Sequence, residues 1–301
     1  MKEPFTIFAR ISSSSFLIEH HSSNHLSYYF TTFKLHQSHF RLAQKLQKKI
    51  YFASDLHLGV DTKKTSRERE ERFVAWLDAI KSDMSALYLV GDIFDYWYEY
   101  KHTIPKGFIR ILGKLAELKD LGIEIFIFTG NHDLWMNDYF TEEMDIPVYH
   151  KPISLILGTK QFFIGHGDGL GPADRGYKIL KSIMTNKICQ WLFSRIHPNT
   201  AISLMKYFSK KSRESTEEEA YLGPDKEWLI LFSESHLKAH PEIDYYIFGH
   251  RHLPIDFLLS NGKSRYVNLG DWTNYYSFAC FDGIELSLAF YQNDNQKIYG
   301  R

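Results

Sequence analysis

Five short runs in this sequence carry residue types that could do metal chemistry: Asp55-x-His57, Gly91-Asp92-x-x-Asp95, Gly130-Asn131-His132-Asp133, Gly165-His166-Gly167-Asp168 and Gly249-His250-x-His252. Imidazole and carboxylate donors suit Mn2+, Fe2+, Zn2+ or similar ions, and no thiolate stands among them to favour a soft site. Residues i and i+2 on an extended segment point the same way. Asp55 and His57 can therefore grip one ion, and His250 and His252 can straddle the site. A divalent ion held by such donors lowers the pKa of a bound water and acts as a Lewis acid, so the chemistry in view is metal-assisted hydrolysis. A single Asp-x-His pair arises often by chance; five such runs in order carry the argument together. Asp95 also admits a plainer reading as a helix N-cap. The glycines before Asp92, Asn131, His166 and His250 fit turns with positive φ and close backbone approach.

The runs sit where short β-type segments end. Lys49–Ser54 leads into Asp55, Ala86–Val90 into Gly91-Asp92, and Ile123–Phe128 into Gly130-Asn131-His132. Between them, Arg67–Ile80 and Phe108–Leu121 place apolar residues at helical spacing, which predicts parallel βαβ units. Ligands in such sheets gather beyond the carboxyl ends of the strands. Gln161–Gly165 and Tyr245–Gly249 repeat the theme before His166 and His250. Ser264–Leu269, Tyr276–Phe281 and Ile284–Tyr291 read as strands of a second sheet. Two packed sheets with helices outside would bring all five runs to one rim.

The chain has 301 residues, enough for one large α/β domain or a domain with an insert. Its two cysteines, Cys189 and Cys280, argue against a disulfide scaffold and suit a reducing compartment. No stretch approaches ~18 apolar residues, so no membrane-spanning helix is expected. Residues 1–48 differ from the rest, being rich in Ser, Phe and His with only Glu3 and Glu19 as acids. A transit-like peptide is one reading; a disordered extension or a misplaced start is the other. The charge is also uneven further on. From Arg175 to Arg213 there is no Asp or Glu, while nine basic residues alternate with Ile183, Ile188, Trp191, Phe193, Tyr207, Phe208 and other apolar side chains. Such a block reads as a surface for anionic lipid or an acylated phosphate substrate. An ordinary helical hairpin with solvated lysines is the alternative.

In order and type the five runs resemble the calcineurin-like metallophosphoesterase family, over roughly Lys49 to Tyr291. The resemblance implies a four-layer α/β/β/α sandwich of the α/β class. It implies that Asp55, His57, Asp92 and His252 hold a first metal. Asp92 would bridge to a second, which also takes Asn131, His166 and His250. His132 then matches the family histidine that donates to the phosphoryl oxygen or leaving group, and Asp95 the carboxylate that orients it. The stretch HGDGLGPADRGYK, from His166, is similar to the loop of the bacterial UDP-2,3-diacylglucosamine pyrophosphatases. These make UMP and diacylglucosamine 1-phosphate from a UDP-linked lipid A precursor. On that likeness the expected domains are an extension (1–48), a core (49–173 and 240–292) and a helical cap (174–239). Asn131, His132, Asp174, Lys210, Lys211, Ser212, Arg213 and His250 are expected to contact substrate. The cofactor is expected to be two divalent ions, Mn2+ first, with Fe2+ or Zn2+ as alternatives. The expected partners are the UDP-linked diacylated glucosamine and an anionic membrane surface, not nucleic acid. The expected place is the cytoplasmic side of a Gram-negative inner membrane, peripherally bound. The chain departs from the pattern at His132, where several proteobacterial members carry Arg, and at Arg251, where a small residue is usual. A soluble phosphomonoesterase or nucleotide phosphodiesterase of the same fold, and a non-catalytic scaffold, stand as alternatives.

Overall fold

The computed structural model of the chain describes residues 48–171, 175–214 and 220–301, leaving out the side chains at 175–177, 179–180, 210 and 212–214. The expected extension, all but Lys48, lies outside the described residues. The elements run β1 (Lys49–Ala53), α1 (Ser66–Ile80), β2 (Met84–Val90), α2 (Ile109–Asp120), β3 (Glu124–Phe128), α3 (Tyr139–Met144), β4 (Val148–Tyr149), β5 (Ile153–Leu157) and β6 (Lys160–Ile164). There follow α4 (Arg175–Met184), α5 (Lys187–Phe193), α6 (Pro198–Glu214), α7 (Trp228–Leu237), β7 (Tyr245–Phe248), β8 (Pro254–Leu258), β9 (Arg265–Leu269), β10 (Ser277–Phe281) and β11 (Leu286–Phe290).

Two sheets form. The first has the order β11-β10-β1-β2-β3-β4, the second β5-β6-β7-β9-β8. Alternation along each strand sorts side chains between layers, as the two-residue period of a strand requires. On β1, Tyr51 and Ala53 face outward into a core with Phe73, Trp76 and Leu77 of α1 and Ile111, Leu115 and Leu118 of α2. Phe52 faces inward and, with Tyr88, Val90 and Phe128, meets Phe162, Ile164, Ile247 and Val267 of the second sheet. The second sheet's other face, with Phe163, Tyr246, Phe248 and Tyr266, is covered by Leu229, Ile230 and Leu237 of α7. Helix, sheet, sheet and helix are thus stacked in four layers.

Several expectations change. β10 and β11 belong to the first sheet, not the second: β10 pairs antiparallel with β1, Ile50 opposite Phe281. Apolar alternation marks a strand without saying which sheet it joins. Here the chain returns after β9 to the β1 side, where the Trp272 N–H donates to the Asp55 carbonyl at 3.1 Å. The strands β4, β5 and β8 are additional to those expected, and β4, with two residues, is too short to show a period. Within the expected cap, 174–239, α7 packs as core against the second sheet, and the helices over the rim are α4 to α6. The chain also continues past 292 as structure: the Tyr299 N–H donates to the Pro254 carbonyl and Arg301 pairs with Asp256.

Local signals explain why these elements start where they do. Thr65 caps α1, its side chain accepting from the Glu68 N–H while Glu68 accepts from the Thr65 N–H. This reciprocal pair satisfies two of the helix's orphan donors. α2 has no cap of its own, and the buried Glu70 of α1 supplies one by accepting from the N–H groups of Arg110 and Ile111.

Candidate metal centre

The five runs meet beyond the carboxyl ends of β1, β2, β3, β6 and β7. Asp55, His57, Asp92, Asp95 and His166 are buried, while Asn131, His132, His250 and His252 are partly buried. Donor atoms of Asp55, His57, Asp92 and His252 lie within 4.8 Å of one another, and so do those of Asp92, His166 and His250. Asp92 is common to both groups. In the first, the Nε2 atoms of His57 and His252 face each other at 3.1 Å, with Asp55 Oδ1 3.2 Å from His252. In the second, His166 Nε2 lies 3.3 Å from Asp92 Oδ2 and 3.3 Å from Asn131 Oδ1, and His250 Nδ1 is 2.9 Å from the same amide oxygen. His250 and His252 thus do straddle the centre, one toward each cluster.

The arrangement fits cations. His166 Nδ1 sits 2.9 Å from the Val90 carbonyl, which can only accept, so this nitrogen carries the proton and Nε2 presents a lone pair toward Asp92 and Asn131. Lone pairs converge there with no hydrogen between them unless a positive charge intervenes. Ionisation behaviour agrees. Burial disfavours charge on Asp92, yet His166, His132 and His57 outweigh it and hold the carboxyl well below its usual range. Burial likewise opposes charge on His166, and Asp92 overcomes it, raising the imidazole well above its ordinary value. Desolvation and the neighbouring His166 push His250 down to about 4. Divalent ions would meet the demand that a proton on His166 meets here, and both donor groups have the carboxylate and imidazole character such ions take.

The backbone that delivers these donor groups is strained. Asp55, His57, Asp92, His250 and His252 all have positive φ, between 46° and 68°. The segment Asp55–His57 is therefore a tight turn and not the extended run assumed for the i, i+2 argument. Asp55 and His57 still share the site because Leu56 is driven into the core. Side chains cost more than glycine in this region, and such conformations persist where the surroundings over-determine them. Arg69 does that. Its buried guanidinium donates to the carbonyls of Leu56 (2.8 Å), His57 (2.8 Å) and Val60 (2.6 Å). Asp133 does it across two loops, accepting from the N–H groups of Ile93, Phe94 and Gly130. Burial and the charge of Asp92 push its own carboxyl up to about 7. Of the four glycines expected at positive φ, only Gly91 has it, at 84°. Gly130 serves close approach instead, since a Cβ there would collide with the Asp92 carboxylate.

His132 stands at the edge of the first cluster. Its ring meets His57 edge-on at 4.9 Å, and its backbone N–H donates to Asp92 Oδ1 at 2.9 Å. Its Nδ1 is 3.2 Å from the Asp95 carbonyl, while Asp95 Oδ1 is 3.7 Å from it and 3.6 Å from His57 Nδ1. Asp95 therefore lies between two histidines. No helix begins at it, which removes its reading as an N-cap. A residue not expected here joins them: Ser209 of α6, only 7% exposed, donates to Asp95 Oδ2 at 2.8 Å and lies 3.2 Å from His132 Nδ1.

The cap is anchored beside this group. The Trp135 indole N–H donates to the Met184 carbonyl at 2.6 Å, Tyr98 OH to the Gln190 carbonyl and Tyr100 OH to the Ile196 carbonyl. Phe193 packs between Tyr98 and Trp135 at 4.8 and 4.6 Å. Ile183, Ile188, Trp191, Leu192, Tyr207 and Phe208 remain exposed. Of the expected substrate contacts, Asn131, His132 and His250 are at the centre. Lys211 is exposed on α6. Asp174 lies outside the described residues, as do the side chains of Lys210, Ser212 and Arg213. Arg251 makes a two-point ion pair with the buried Glu227, Nε to Oε2 at 2.9 Å, fastening the His250–His252 turn to the start of α7.

Comparison with known proteins agrees with this centre. The calcineurin-like phosphoesterase family matches residues 48–254, and the chain belongs to that family. A protein of Porphyromonas gingivalis named UDP-2,3-diacylglucosamine hydrolase is 41% identical over 256 residues, 81% of this chain and 97% of that protein. One of the same name from Shewanella piezotolerans is 26% identical over 78% of this chain and 95% of that protein. The chain is thus a phosphoesterase-family hydrolase whose donor set suits a dinuclear metal site.

Proposed function

We propose that this chain hydrolyses the pyrophosphate of UDP-2,3-diacylglucosamine to UMP and 2,3-diacylglucosamine 1-phosphate, a step of lipid A biosynthesis. The observation that carries this reading is the seating of a basic, apolar-faced cap on the metal rim, where Ser209 of α6 touches Asp95 and His132. The name of the 41% identical relative supports it. Asp55, His57, Asp92 and His252 are proposed to hold one divalent ion, and Asp92, Asn131, His166 and His250 the other, with Mn2+ ahead of Fe2+ or Zn2+. Such a pair supplies an acidified water and offsets phosphoryl charge. The chain's own residues do the rest. Asp95 and Ser209 hold the His132 ring, and in its doubly protonated form Nε2 can donate to a phosphoryl oxygen or the leaving group. Asn131 and His250 lie where phosphoryl oxygens would approach. Asp174, Lys210, Lys211, Ser212 and Arg213 are assigned to the lipid sugar and its phosphate. The exposed apolar residues of α5 and α6 face acyl chains and an anionic membrane surface, at the cytoplasmic side of a Gram-negative inner membrane. Among the described residues no helix is long and apolar enough to cross a membrane.

The test is an activity panel with metal analysis. Wild-type protein loaded with Mn2+ should cleave UDP-2,3-diacylglucosamine far faster than p-nitrophenyl phosphate or a bis-aryl phosphodiester. Asp92→Ala should retain at most one ion per chain and lose turnover on all three. Preference for a small monoester would replace the lipid reading with a soluble phosphomonoesterase.

A further inference from the structure

We propose that Arg251, locked to Glu227, is a positioning residue that aims His252 and so sets the affinity of the first metal cluster. The assignment rests on the reading of His250 and His252 as metal ligands. The turn that carries them is not relaxed. The Arg251 N–H donates to the Gly249 carbonyl at 2.8 Å, closing a three-residue turn about His250 at φ 68°, and His252 follows at φ 51°. Three-residue turns with positive φ are rare and strained. They persist where the surroundings over-determine them.

The first half of the turn is held from the sheets. The Gly249 N–H donates to the His166 carbonyl at 3.0 Å, and the Asn268 amide donates to the Gly249 carbonyl. The His250 N–H donates to Asp55 Oδ2 at 3.0 Å, and the His250 ring meets Trp228 edge-on at 5.8 Å. The second half reaches further out, and the His252 side chain is 32% exposed. Arg251 stands between the two halves. Its Nε and Nη2 each donate to one oxygen of Glu227, at 2.9 and 3.1 Å, and Nη2 also donates to the Ala220 carbonyl at 3.2 Å. The Glu227 side chain is fully buried, and its Oε1 also accepts from the Leu222 N–H at 3.0 Å. Glu227 caps the start of α7, which Leu229 and Ile230 root in the core. The fork thus passes the rigidity of a core helix to the turn. In the Asp55-x-His57 run the middle residue, Leu56, does this by burial in the core. In His250-x-His252 a charge does it. A buried ion pair contributes little net stability, because desolvation offsets the attraction. A planar fork on a carboxylate does fix orientation, and orientation is what a metal ligand needs. Groups that hold ligands from behind typically change metal affinity about 10–100-fold when removed.

The experiment strips the full-length protein of metal and titrates it with Mn2+ by calorimetry. Arg251→Lys keeps the charge opposite Glu227 but loses the fork. Arg251→Met combined with Glu227→Leu removes the latch and leaves no lone buried charge. If one of the two proteins fails to fold, the other decides. In each, one of two Mn2+ ions should bind about 10–100-fold more weakly, and hydrolysis of a bis-aryl phosphodiester should recover as Mn2+ is raised. Two further backgrounds identify which ion is affected. In His252→Ala the ligand that Arg251 aims is gone, so adding Arg251→Lys should leave the affinity of the remaining ion unchanged. In His250→Ala the remaining ion is the one His252 holds, and Arg251→Lys should weaken it by the full factor. Mn2+ binding equal to wild type overturns the assignment. So does an equal weakening of the remaining ion in both backgrounds, since that marks a general loosening of the turn. If wild type takes up two Mn2+ ions, either result overturns the latch alone. A wild type that binds no Mn2+ overturns the metal reading and the latch together.

Discussion

His132 is held by the Asp95 carbonyl and approached by the Ser209 hydroxyl, each 3.2 Å from Nδ1, and its backbone is tied to Asp92. A ring fixed this way keeps Nε2 pointed at one place, which matters only if something reacts there. His132→Ala should therefore lower kcat by roughly 10²–10⁴ with little change in KM and with bound metal retained. Loss of metal with activity would make His132 a ligand. Ser209→Ala should cost about tenfold in kcat, since a hydrogen bond to a charged group contributes about 1.5–3 kcal/mol and Asp95 keeps its other contacts. Ser209→Thr, which keeps the hydroxyl, should restore most of it. The candidate metal donors were legible in the sequence because each follows a strand end in a short polar run. Ser209 was not; the serine expected on this helix was Ser212, and as a substrate contact. The signal lies in helix periodicity. Ala201, Met205 and Ser209 recur at four-residue spacing, with Ala201 buried and Met205 packed on the core, so the hydroxyl sits on the inward stripe.

Among the elements, the turn after β1 shows how much of the site is built by residues that bear no ligand. Asp55 and His57 sit at positive φ, and the Arg69 guanidinium binds three carbonyls of the same turn. Arg69→Ala would leave those buried carbonyls unsatisfied. It should lower unfolding free energy by about 3 kcal/mol in denaturant titration. It should also weaken metal binding, because the turn loses its restraint. Arg69→Lys should recover little, since one ammonium cannot match a forked donor. A stable, fully loaded Arg69→Ala protein would show that the turn holds itself. Sequence reading placed β1 to β3, β6, β7, β9 and the helices α1 and α2 within a residue or two, because period and turn residues are local signals. It failed where partners decide. β10 and β11 were assigned to the wrong sheet, since nothing in Ser277–Phe281 says that Ile50 will lie opposite. β4 has only two residues, too few for any period. Arg69 and Glu70 sit on α1 among other charges and look like a solvated face, yet both are buried because loops fold over them.

Over the whole molecule, the polar centre and the apolar cap face lie close together, and Trp191 and Phe193 divide the cap's two tasks. The basic, apolar block led to the expectation that both rings receive acyl chains. The structure separates them: Phe193 is docked between Tyr98 and Trp135, while Trp191 is 55% exposed with Arg195 stacked on it at 4.8 Å. Replacing Phe193 with Ser should therefore loosen the cap and depress every activity, including hydrolysis of a small aryl phosphodiester. Trp191→Ser should act differently. Burying about 100 Å2 of its ring in a bilayer or against acyl chains contributes about 2.5 kcal/mol. The variant should bind anionic vesicles some tens of times more weakly and lose lipid cleavage in step. Aryl ester hydrolysis should stay within about twofold. Lys187 and Lys211, exposed on the same helices, add attraction that salt removes, because exposed charges are screened over about 8–10 Å at physiological ionic strength. Vesicle binding by wild type should thus fall as salt rises. The Trp191→Ser defect should persist at every salt concentration, since apolar burial is not screened. Co-sedimentation across a salt series separates the two contributions. A Trp191→Ser protein that binds vesicles as well as wild type would turn the exposed cap face away from the membrane and leave it to the acyl chains of a single bound substrate.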